Sequence, residues 1–263
     1  MPSEDILSKP QPPPDARIAY GPDPNQFLEL RAPHAKGPHP VLVNIHGGYW
    51  RAKYDLAHAG HLCEALRTAG IATANLEFRR VGNEGGGWPG TFADLRSAYA
   101  FLRQERARLH LDTDRLVVMG HSAGGQLALC LAAHEPSIRS AISLAGVIDL
   151  QKAYSLHLSN DAVVDFLGGK PDAVPEHYRE ADPMELSIPQ AKQWVFHGAE
   201  DDTVPPAFSR GYAKAKSDAK TAPSGKIENV RWQEIPHAGH YEFIDPASDA
   251  FKQVTAAVLA AIS

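Results

Sequence analysis

The chain has 263 residues, of which 43 % are apolar and 22 % charged, a balance typical of a globular protein with one large hydrophobic core. Its net charge of −5 provides no basic surface for nucleic acid, and no apolar run reaches the roughly 18 residues that a membrane span needs. The proline-rich first 15 residues lack the apolar core of a signal peptide, and both cysteines, Cys63 and Cys130, lie in apolar helical patterns; we therefore expect a cytoplasmic protein with buried thiols.

Apolar runs and helical patterns alternate along the chain. Strands are predicted at residues 26–32, 41–46, 71–78, 115–119, 141–146, 193–198 and 230–235. Helices are predicted at residues 55–70, 91–109, 125–135 and about 247–262, with Asp55 as the N-cap of the first. This alternation predicts an α/β fold with a mostly parallel central sheet and helices on both of its faces.

Neither an internal repeat nor a linker interrupts the pattern, so residues 1–263 are expected to form a single domain. Residues 147–190, rich in Pro, Gly and acidic residues, are the one long interruption, and they predict a small cap or lid insert beside a site. In an open α/β sheet, ligands bind beyond the carboxyl ends of the strands. The residues that follow each strand are therefore the candidates for function.

A Gly-x-Ser-x-Gly sequence, residues 120–124, stands between a predicted strand and a predicted helix. A strand that turns directly into a helix forces its corner residue into a strained conformation, and only small residues fit two positions before and after that corner. Gly120 and Gly124 occupy these two positions. The following helix N-terminus favours negative charge that develops at the corner. Ser122 is therefore the predicted nucleophile.

A serine nucleophile needs a base, and the base needs an acid that orients it. In this strand-and-elbow arrangement the acid and then the histidine follow the serine in chain order. Two acids and two histidines stand just past predicted strands in that order: Asp201 and Asp202, then His237 and His240. Asp149, which also follows a predicted strand, is an alternative acid.

These segments resemble the α/β-hydrolase superfamily over nearly the whole chain. GHSAGG is similar to the esterase nucleophile motif, HGAEDDTVP is similar to the acid loop HG-x-x-D-x-x-VP, and GHYEF resembles the histidine loop. HGGYW matches the HGG-x-W motif of kynurenine formamidases (arylformamidases) and is related to the HGGG motif of hormone-sensitive-lipase-like esterases. The resemblance implies an α/β-hydrolase fold and a triad of Ser122, Asp201 and His240.

The HGGYW stretch, residues 46–50, supplies the expected oxyanion hole. A tetrahedral oxyanion is met by N–H groups at about 2.7–3.1 Å, and side chains there block the approach. By resemblance, the backbone amides of Gly48, Tyr49 and Ala123 are the donors. The two bulky rings, Tyr49 and Trp50, are expected to wall a small acyl pocket. The remaining pocket residues are expected to be His46, Gly47 and His121.

Other motifs give weaker signals. The glycine-rich loop 82–90 matches neither a dinucleotide-binding nor a P-loop pattern. His58 and His61 could share a helix face, but no carboxylate or cysteine pattern completes a metal site, so neither metal nor cofactor is expected. Arg79 and Arg80 follow a strand end; they are interpreted either as ligands for a substrate carboxylate or as salt-bridge residues.

The sequence thus predicts a cofactor-free serine hydrolase that cleaves a small ester or amide, without a nucleic-acid or membrane partner. HGGYW favours an arylformamidase-like activity, whereas HGAEDDTVP favours a carboxylesterase. An S9-type peptidase-like hydrolase and a non-catalytic ligand-sensing protein are the alternatives. We expect formyl, acetyl or propionyl groups to be preferred, with the insert 147–190 bordering the leaving-group side. The natural substrate and the oligomeric state do not follow from the sequence.

Overall fold

A computed structural model of the protein describes residues 3–218, 223, 225 and 227–263. In this part of the chain, eight strands form one sheet in the order β1-β2-β4-β3-β5-β6-β7-β8. The strands from β3 to β8 run parallel, and β1 and β2 join the edge antiparallel, so the predicted mostly parallel sheet is confirmed. The strands are Ala16–Ala19 (β1), Phe27–Arg31 (β2), His39–Ile45 (β3), Ala72–Leu76 (β4), Leu111–His121 (β5), Ser140–Leu144 (β6), Lys192–Gly198 (β7) and Val230–Ile235 (β8).

Helices occupy most of the connections between these strands. The α-helices are Gly60–Thr68 (α1), Gly90–Gln104 (α2), Ala123–His134 (α3), Leu150–Ser155 (α4), Ala162–Leu167 (α5), Pro175–Ala181 (α6), Ala207–Lys216 (α7) and Asp249–Ile262 (α8). Two 3₁₀-helices, Ser3–Leu7 and Leu56–Ala59, lie near the start of the chain and before α1. No helix among the described residues is both long and apolar enough to cross a membrane.

The central strands of the sheet are buried on both faces because their side chains alternate between two apolar clusters. In β3, Val41 and Val43 point into one cluster, which includes side chains of α2, α3 and α7. Leu42 points into the other cluster, which includes side chains of α1 and α8. This double burial explains why residues 41–45 of β3 are apolar except for Asn44, whose side-chain amide donates to Oδ1 of Asn75 at 2.8 Å.

Some boundaries differ from the sequence prediction. The helix predicted at residues 91–109 ends at Gln104, because the chain turns through residues 105–110, where His110 has a φ of 55°. Strand β1 was not predicted, since its side chains are alternately exposed and half-buried and form no apolar run. The helix predicted at residues 55–70 begins as a 3₁₀ turn, in which the Asp55 carboxylate accepts the N–H of Ala57 at 2.9 Å.

The insert 147–190 contains the three short helices α4, α5 and α6. Phe166, Leu167 and Tyr178 from this insert are buried in the same apolar cluster as α2 and α3. Asp182, at the end of the insert, accepts the backbone N–H groups of Leu150 and Met184 at 2.8 and 3.0 Å. Asp182 thus ties the two ends of the insert together, and the Phe166 carbonyl joins the insert to the body by accepting the N–H of Trp88 at 2.7 Å.

Parallel strands bring their carboxyl ends to one edge of the sheet. Four segments follow these ends: the HGGYW stretch after β3, Ser122 after β5, the acidic loop after β7 and the histidine loop after β8. The topology thus collects all four predicted site segments at one edge.

Candidate active site

Ser122 forms a sharp corner between β5 and α3. Its backbone φ of 57° and ψ of −122° lie in a region that residues other than glycine rarely adopt. A Cβ added to Gly120 would lie 2.0 Å from the Gly124 carbonyl oxygen, and one added to Gly124 would lie 2.0 Å from the Ile45 carbonyl oxygen. The corner therefore closes only because these two residues have no side chain.

The corner is held by backbone hydrogen bonds. The N–H of Ser122 donates to the Leu144 carbonyl at 2.8 Å, and the Ser122 carbonyl accepts the N–H of Gly125 at 2.9 Å. Ser122 is 3 % exposed, and its side chain lines a cavity together with His240. The serine is thus fixed at the end of the sheet beside a histidine that follows a different strand.

His240 and Asp201 form a buried pair. Nδ1 of His240 donates to Oδ2 of Asp201 at 2.7 Å. The other carboxylate oxygen, Oδ1, accepts the backbone N–H groups of Thr203 and Val204 at 2.9 and 2.8 Å. Because its Nδ1 carries the proton, His240 has Nε2 free to act as a base. This is the orientation that a serine–histidine–aspartate triad requires.

The carboxylate of Asp201 is kept charged by its surroundings. Burial alone raises its pKa, but hydrogen bonds from His197, from His240 and from the Val204 amide outweigh burial and lower the pKa. Asp201 therefore remains an anion that can stabilise a protonated His240.

His197 is a site residue that sequence reasoning missed. Its Nε2 faces two acceptors, Oδ2 of Asp201 at 3.1 Å and the Val204 carbonyl at 2.8 Å, so this nitrogen carries a proton. Its Nδ1 then accepts the hydroxyl of Ser209 at 2.7 Å. His197 stands in the HGAEDDTVP motif, but only the folded loop brings its ring against the carboxylate.

The alternative acids and histidine are engaged elsewhere. Asp149 caps α4 by accepting the N–H of Lys152 at 2.9 Å. The side chain of His237 is 91 % exposed and pairs with Glu200 at 2.9 Å. Asp202 is exposed and accepts the Thr203 hydroxyl. Of the candidates, only Asp201 and His240 are placed together beside Ser122.

The loop after β3 carries an unusual backbone. Gly48, Tyr49 and Trp50 have φ values of 110°, 50° and 58°, so three successive residues are left-handed. Within the described residues, the N–H groups of Gly48, Tyr49 and Ala123 donate to no protein acceptor. Free N–H groups close to a nucleophile are what a developing oxyanion needs.

Trp50 does not wall the cavity, contrary to the sequence expectation. It is 2 % exposed and stacks on Phe166 of α5, with ring centroids 4.6 Å apart. Its Nε1 donates to Oε1 of Gln126 at 2.9 Å, and Nε2 of Gln126 donates to the Ala181 carbonyl at 2.8 Å. The left-handed backbone at Trp50 turns the indole away from the serine and into the core, where it joins the loop to α3 and the insert.

His46 and Gly47 also lie behind the cavity rather than in its wall. His46 is buried, stacks on Phe78 and contacts the Glu77 carboxylate at 3.2 Å and the Gly47 carbonyl at 2.8 Å. A Cβ at Gly47 would lie 2.9 Å from the His121 carbonyl oxygen, so packing excludes a side chain there. Both residues therefore shape the loop from behind.

Tyr49 and His121 do line the cavity. The Tyr49 hydroxyl donates to the Thr203 carbonyl at 2.9 Å and so connects the HGGYW stretch to the acidic loop. Nε2 of His121 donates to the His240 carbonyl at 2.8 Å. Burial and the neighbouring His240 lower the pKa of His121 well below its ordinary value, which makes its ring a neutral part of the wall.

The cavity has a volume of about 70 Å³. No lysine, arginine, aspartate or glutamate lines it within the described part of the chain. No residue of the insert 147–190 is among the residues that line this cavity. The lining consists of Leu7, Gly48, Tyr49, Tyr54, His58, His121, Ser122, Thr203, His240 and Tyr241.

Arg79 and Arg80 form ion pairs outside this lining. Nη2 of Arg79 contacts the buried Asp94 carboxylate at 2.6 Å, and Nη2 of Arg80 contacts Glu77 at 3.2 Å. The salt-bridge interpretation therefore accounts for both. No three His, Cys, Asp or Glu side chains are grouped as metal ligands within residues 3–218, 223, 225 and 227–263.

The sheet order, the strained serine corner and the loops after β7 and β8 define an α/β-hydrolase fold. The sequence model of the BD-FAE family matches residues 28–215, and the chain belongs to this family.

Curated relatives of the chain include two proteins of Mycobacterium tuberculosis. Esterase LipQ is 26 % identical over 217 residues, which cover 76 % of this chain and 50 % of LipQ. Esterase LipC is 25 % identical over 252 residues, which cover 88 % of this chain and 60 % of LipC. The chain thus spans only about half to three-fifths of the length of these relatives.

Solved structures share the fold over almost the whole chain. A truncated carbohydrate esterase from gut microbiota has a TM-score of 0.78 at 18 % identity and covers 94 % of this chain and 95 % of its own. Esterase Est2 of the planctomycete Thermogutta terrifontis has a TM-score of 0.70 at 22 % identity, with 97 % and 94 % covered.

Proposed function

We propose that the protein is a serine carboxylesterase that cleaves small, uncharged esters through an acyl-enzyme intermediate. The observation that carries the proposal is the shared cavity of Ser122 and His240, with His240 hydrogen-bonded to Asp201 at 2.7 Å. The similarity of the chain to the esterases LipQ and LipC supports the same reaction class.

In the acylation step, Oγ of Ser122 attacks the ester carbonyl carbon while Nε2 of His240 takes the hydroxyl proton. The carbonyl oxygen becomes an oxyanion, which accepts hydrogen bonds from the N–H groups of Gly48, Tyr49 and Ala123. The carbon–oxygen bond to the alcohol then breaks, and His240 gives its proton to the departing alkoxide. Asp201 stabilises the imidazolium throughout without taking its proton.

Deacylation repeats the same steps with water. His240 takes a proton from the water as its oxygen attacks the acyl carbon, and the same three amides hold the second oxyanion. The bond to Ser122 then breaks, and His240 returns the proton to Oγ. The products are one carboxylic acid and one alcohol, and no side chain is consumed.

The size of the cavity supports a small substrate. The cavity volume of about 70 Å³ is well below the roughly 300–1,000 Å³ of sites for drug-sized ligands. The residues that line the cavity carry no charge except the proton that His240 gains during turnover. A small acyl group also suits a formamide, which keeps the arylformamidase-like activity suggested by HGGYW as a second candidate. We also propose the cytoplasmic location, with Cys63 and Cys130 as buried free thiols.

The proposal is tested with p-nitrophenyl esters from acetate to decanoate and with N-formylkynurenine. We expect the highest kcat/KM for acetate or propionate, falling by about 10-fold or more beyond butyrate. An optimum at octanoate or longer would overturn the small-pocket interpretation. A faster reaction with N-formylkynurenine than with any ester would favour the formamidase, and hydrolysis of peptides alone would favour the peptidase-like alternative.

A further inference from the structure

One wall of the cavity comes from the 3₁₀-helix Ser3–Leu7. Leu7 lines the cavity together with Ser122 and His240, although it precedes the region that matches the family. Leu7 and Tyr54 are 42 % and 40 % exposed, so they form an apolar rim at the mouth. Exposed apolar side chains that gather at the mouth of an apolar cavity mark a ligand contact more often than single ones do.

The helix is fixed against the histidine loop. Ile6 is 1 % exposed and belongs to the same buried cluster as Phe243 and Ile244, which follow His240. Glu4 lies close enough to Tyr241 to contribute, after burial, to the raised pKa of that tyrosine. The neighbouring side chain, Leu7, is therefore held in a fixed position at the cavity.

The segment that follows the helix is also tied down. Nη2 of the fully buried Arg31 donates to the Pro12 carbonyl at 2.6 Å. The Asp15 carboxylate accepts the N–H of Ala32 at 2.7 Å. Residues 3–15, which we term the strap, are thus anchored at both ends, and Leu7 keeps a defined position.

We propose that Leu7 is a specificity-determining residue that limits the size of the leaving alcohol. The inference rests on the proposed esterase function. In that mechanism His240 donates a proton to the departing alkoxide, so the alcohol lies on the histidine side of the serine. The strap packs on this side. Leu7 and Tyr241 therefore enclose the alcohol, and the uncharged lining selects an apolar one.

The alcohol series is tested with phenyl acetate and 1-naphthyl acetate, which share one acyl group and one acetyl-enzyme. The ratio of their kcat/KM values reports the acylation step alone, because kcat/KM covers only the steps up to release of the alcohol. We expect Leu7→Ala to raise the naphthyl-to-phenyl ratio about 10-fold and Leu7→Trp to lower it by a similar factor. The deacylation rate constant of the acetyl-enzyme stays unchanged in both variants.

The matched control is Leu259→Ala, which truncates a leucine of α8 that is 41 % exposed and outside the cavity lining. Its ratio should equal that of the wild type. An unchanged ratio in both Leu7 variants would overturn the inference, as would a shift confined to the acyl-chain profile of p-nitrophenyl esters. A wild-type protein that hydrolyses no ester would instead refute the proposed function itself.

Discussion

Nδ1 of His240 lies 2.7 Å from Oδ2 of Asp201, although 39 residues separate the two in the chain. Strands β7 and β8 are parallel neighbours, so the loops that follow them emerge side by side. Oδ1 of Asp201 is held by two amides of its own loop, and Oδ2 is shared by His240 and His197. The donors from Thr203, Val204 and His197 therefore hold this carboxylate in the orientation in which it accepts from His240.

The first prediction concerns the choice between adjacent acids. Asp201→Asn leaves the shape nearly unchanged but removes the charge that stabilises protonated His240, and kcat should fall by about 10⁴-fold. Asp202→Asn is the matched control, since Asp202 is exposed and outside the pair, and kcat should remain within about twofold of wild type. Steady-state kinetics with p-nitrophenyl acetate checks both variants. A larger loss at Asp202 would mean that the acid is assigned to the wrong residue.

The second prediction concerns the bond between Trp50 and Gln126. Trp50→Phe keeps an aromatic ring to stack on Phe166 but removes the N–H that Oε1 of Gln126 accepts. The loop that carries the amides of Gly48 and Tyr49 then loses its tie to α3, and kcat should fall about 10-fold while KM changes little.

Binding of a boronic acid that mimics the tetrahedral state measures the same loss independently of turnover. Its affinity should fall in parallel with kcat in Trp50→Phe. Unchanged affinity would show that Trp50 contributes only to packing.

The third prediction uses two glycines with opposite surroundings. Gly124→Ala places a Cβ about 2.0 Å from the Ile45 carbonyl oxygen, so the elbow cannot close and the variant should lose its cooperative unfolding transition. Gly211→Ala, in α7, meets nothing within 4 Å and should stabilise the protein by about 0.5–1 kcal/mol through the higher helix propensity of alanine. Thermal unfolding followed by circular dichroism compares the two. A stable, active Gly124→Ala protein would contradict the strained corner.

The same elements show what the sequence could predict. The apolar run of β3 and the glycines at the elbow were predictable because each is forced by a local rule, burial on two faces in one case and steric exclusion in the other. The direction of the Trp50 side chain was not predictable. It depends on three successive residues with left-handed backbone, and their order in the sequence does not reveal that conformation. The contribution of Leu7 depends on a contact between distant parts of the chain, and no local pattern signals it.

The fourth prediction concerns pH. Burial raises the pKa of Asp182 to about 7, against an ordinary value near 4, with nearby Asp149 also raising it. Between about pH 4 and pH 7, Asp182 binds a proton in the folded protein but not in the unfolded chain. The stability that Asp182 contributes is therefore fully present below about pH 4 and is lost as the pH rises toward 7.

The free energy of unfolding of wild type, relative to Asp182→Asn, should therefore increase by on the order of 2 kcal/mol between about pH 7 and pH 5. Urea unfolding of both proteins at the two pH values measures this difference. A difference that is constant with pH, or that decreases on acidification, would show that Asp182 is already ionised in the folded protein.

The central claim is that Ser122 is the nucleophile, and covalent labelling with a fluorophosphonate tests it most directly. The phosphonyl group should form one bond to Oγ of Ser122 with loss of fluoride, because this hydroxyl shares its cavity with the proposed base His240. Intact mass and peptide mapping should find one adduct per chain, on Ser122, and none in Ser122→Ala. Ester hydrolysis should be lost in step with labelling. An adduct on another residue, or a Ser122→Ala protein that keeps its activity, would contradict the account.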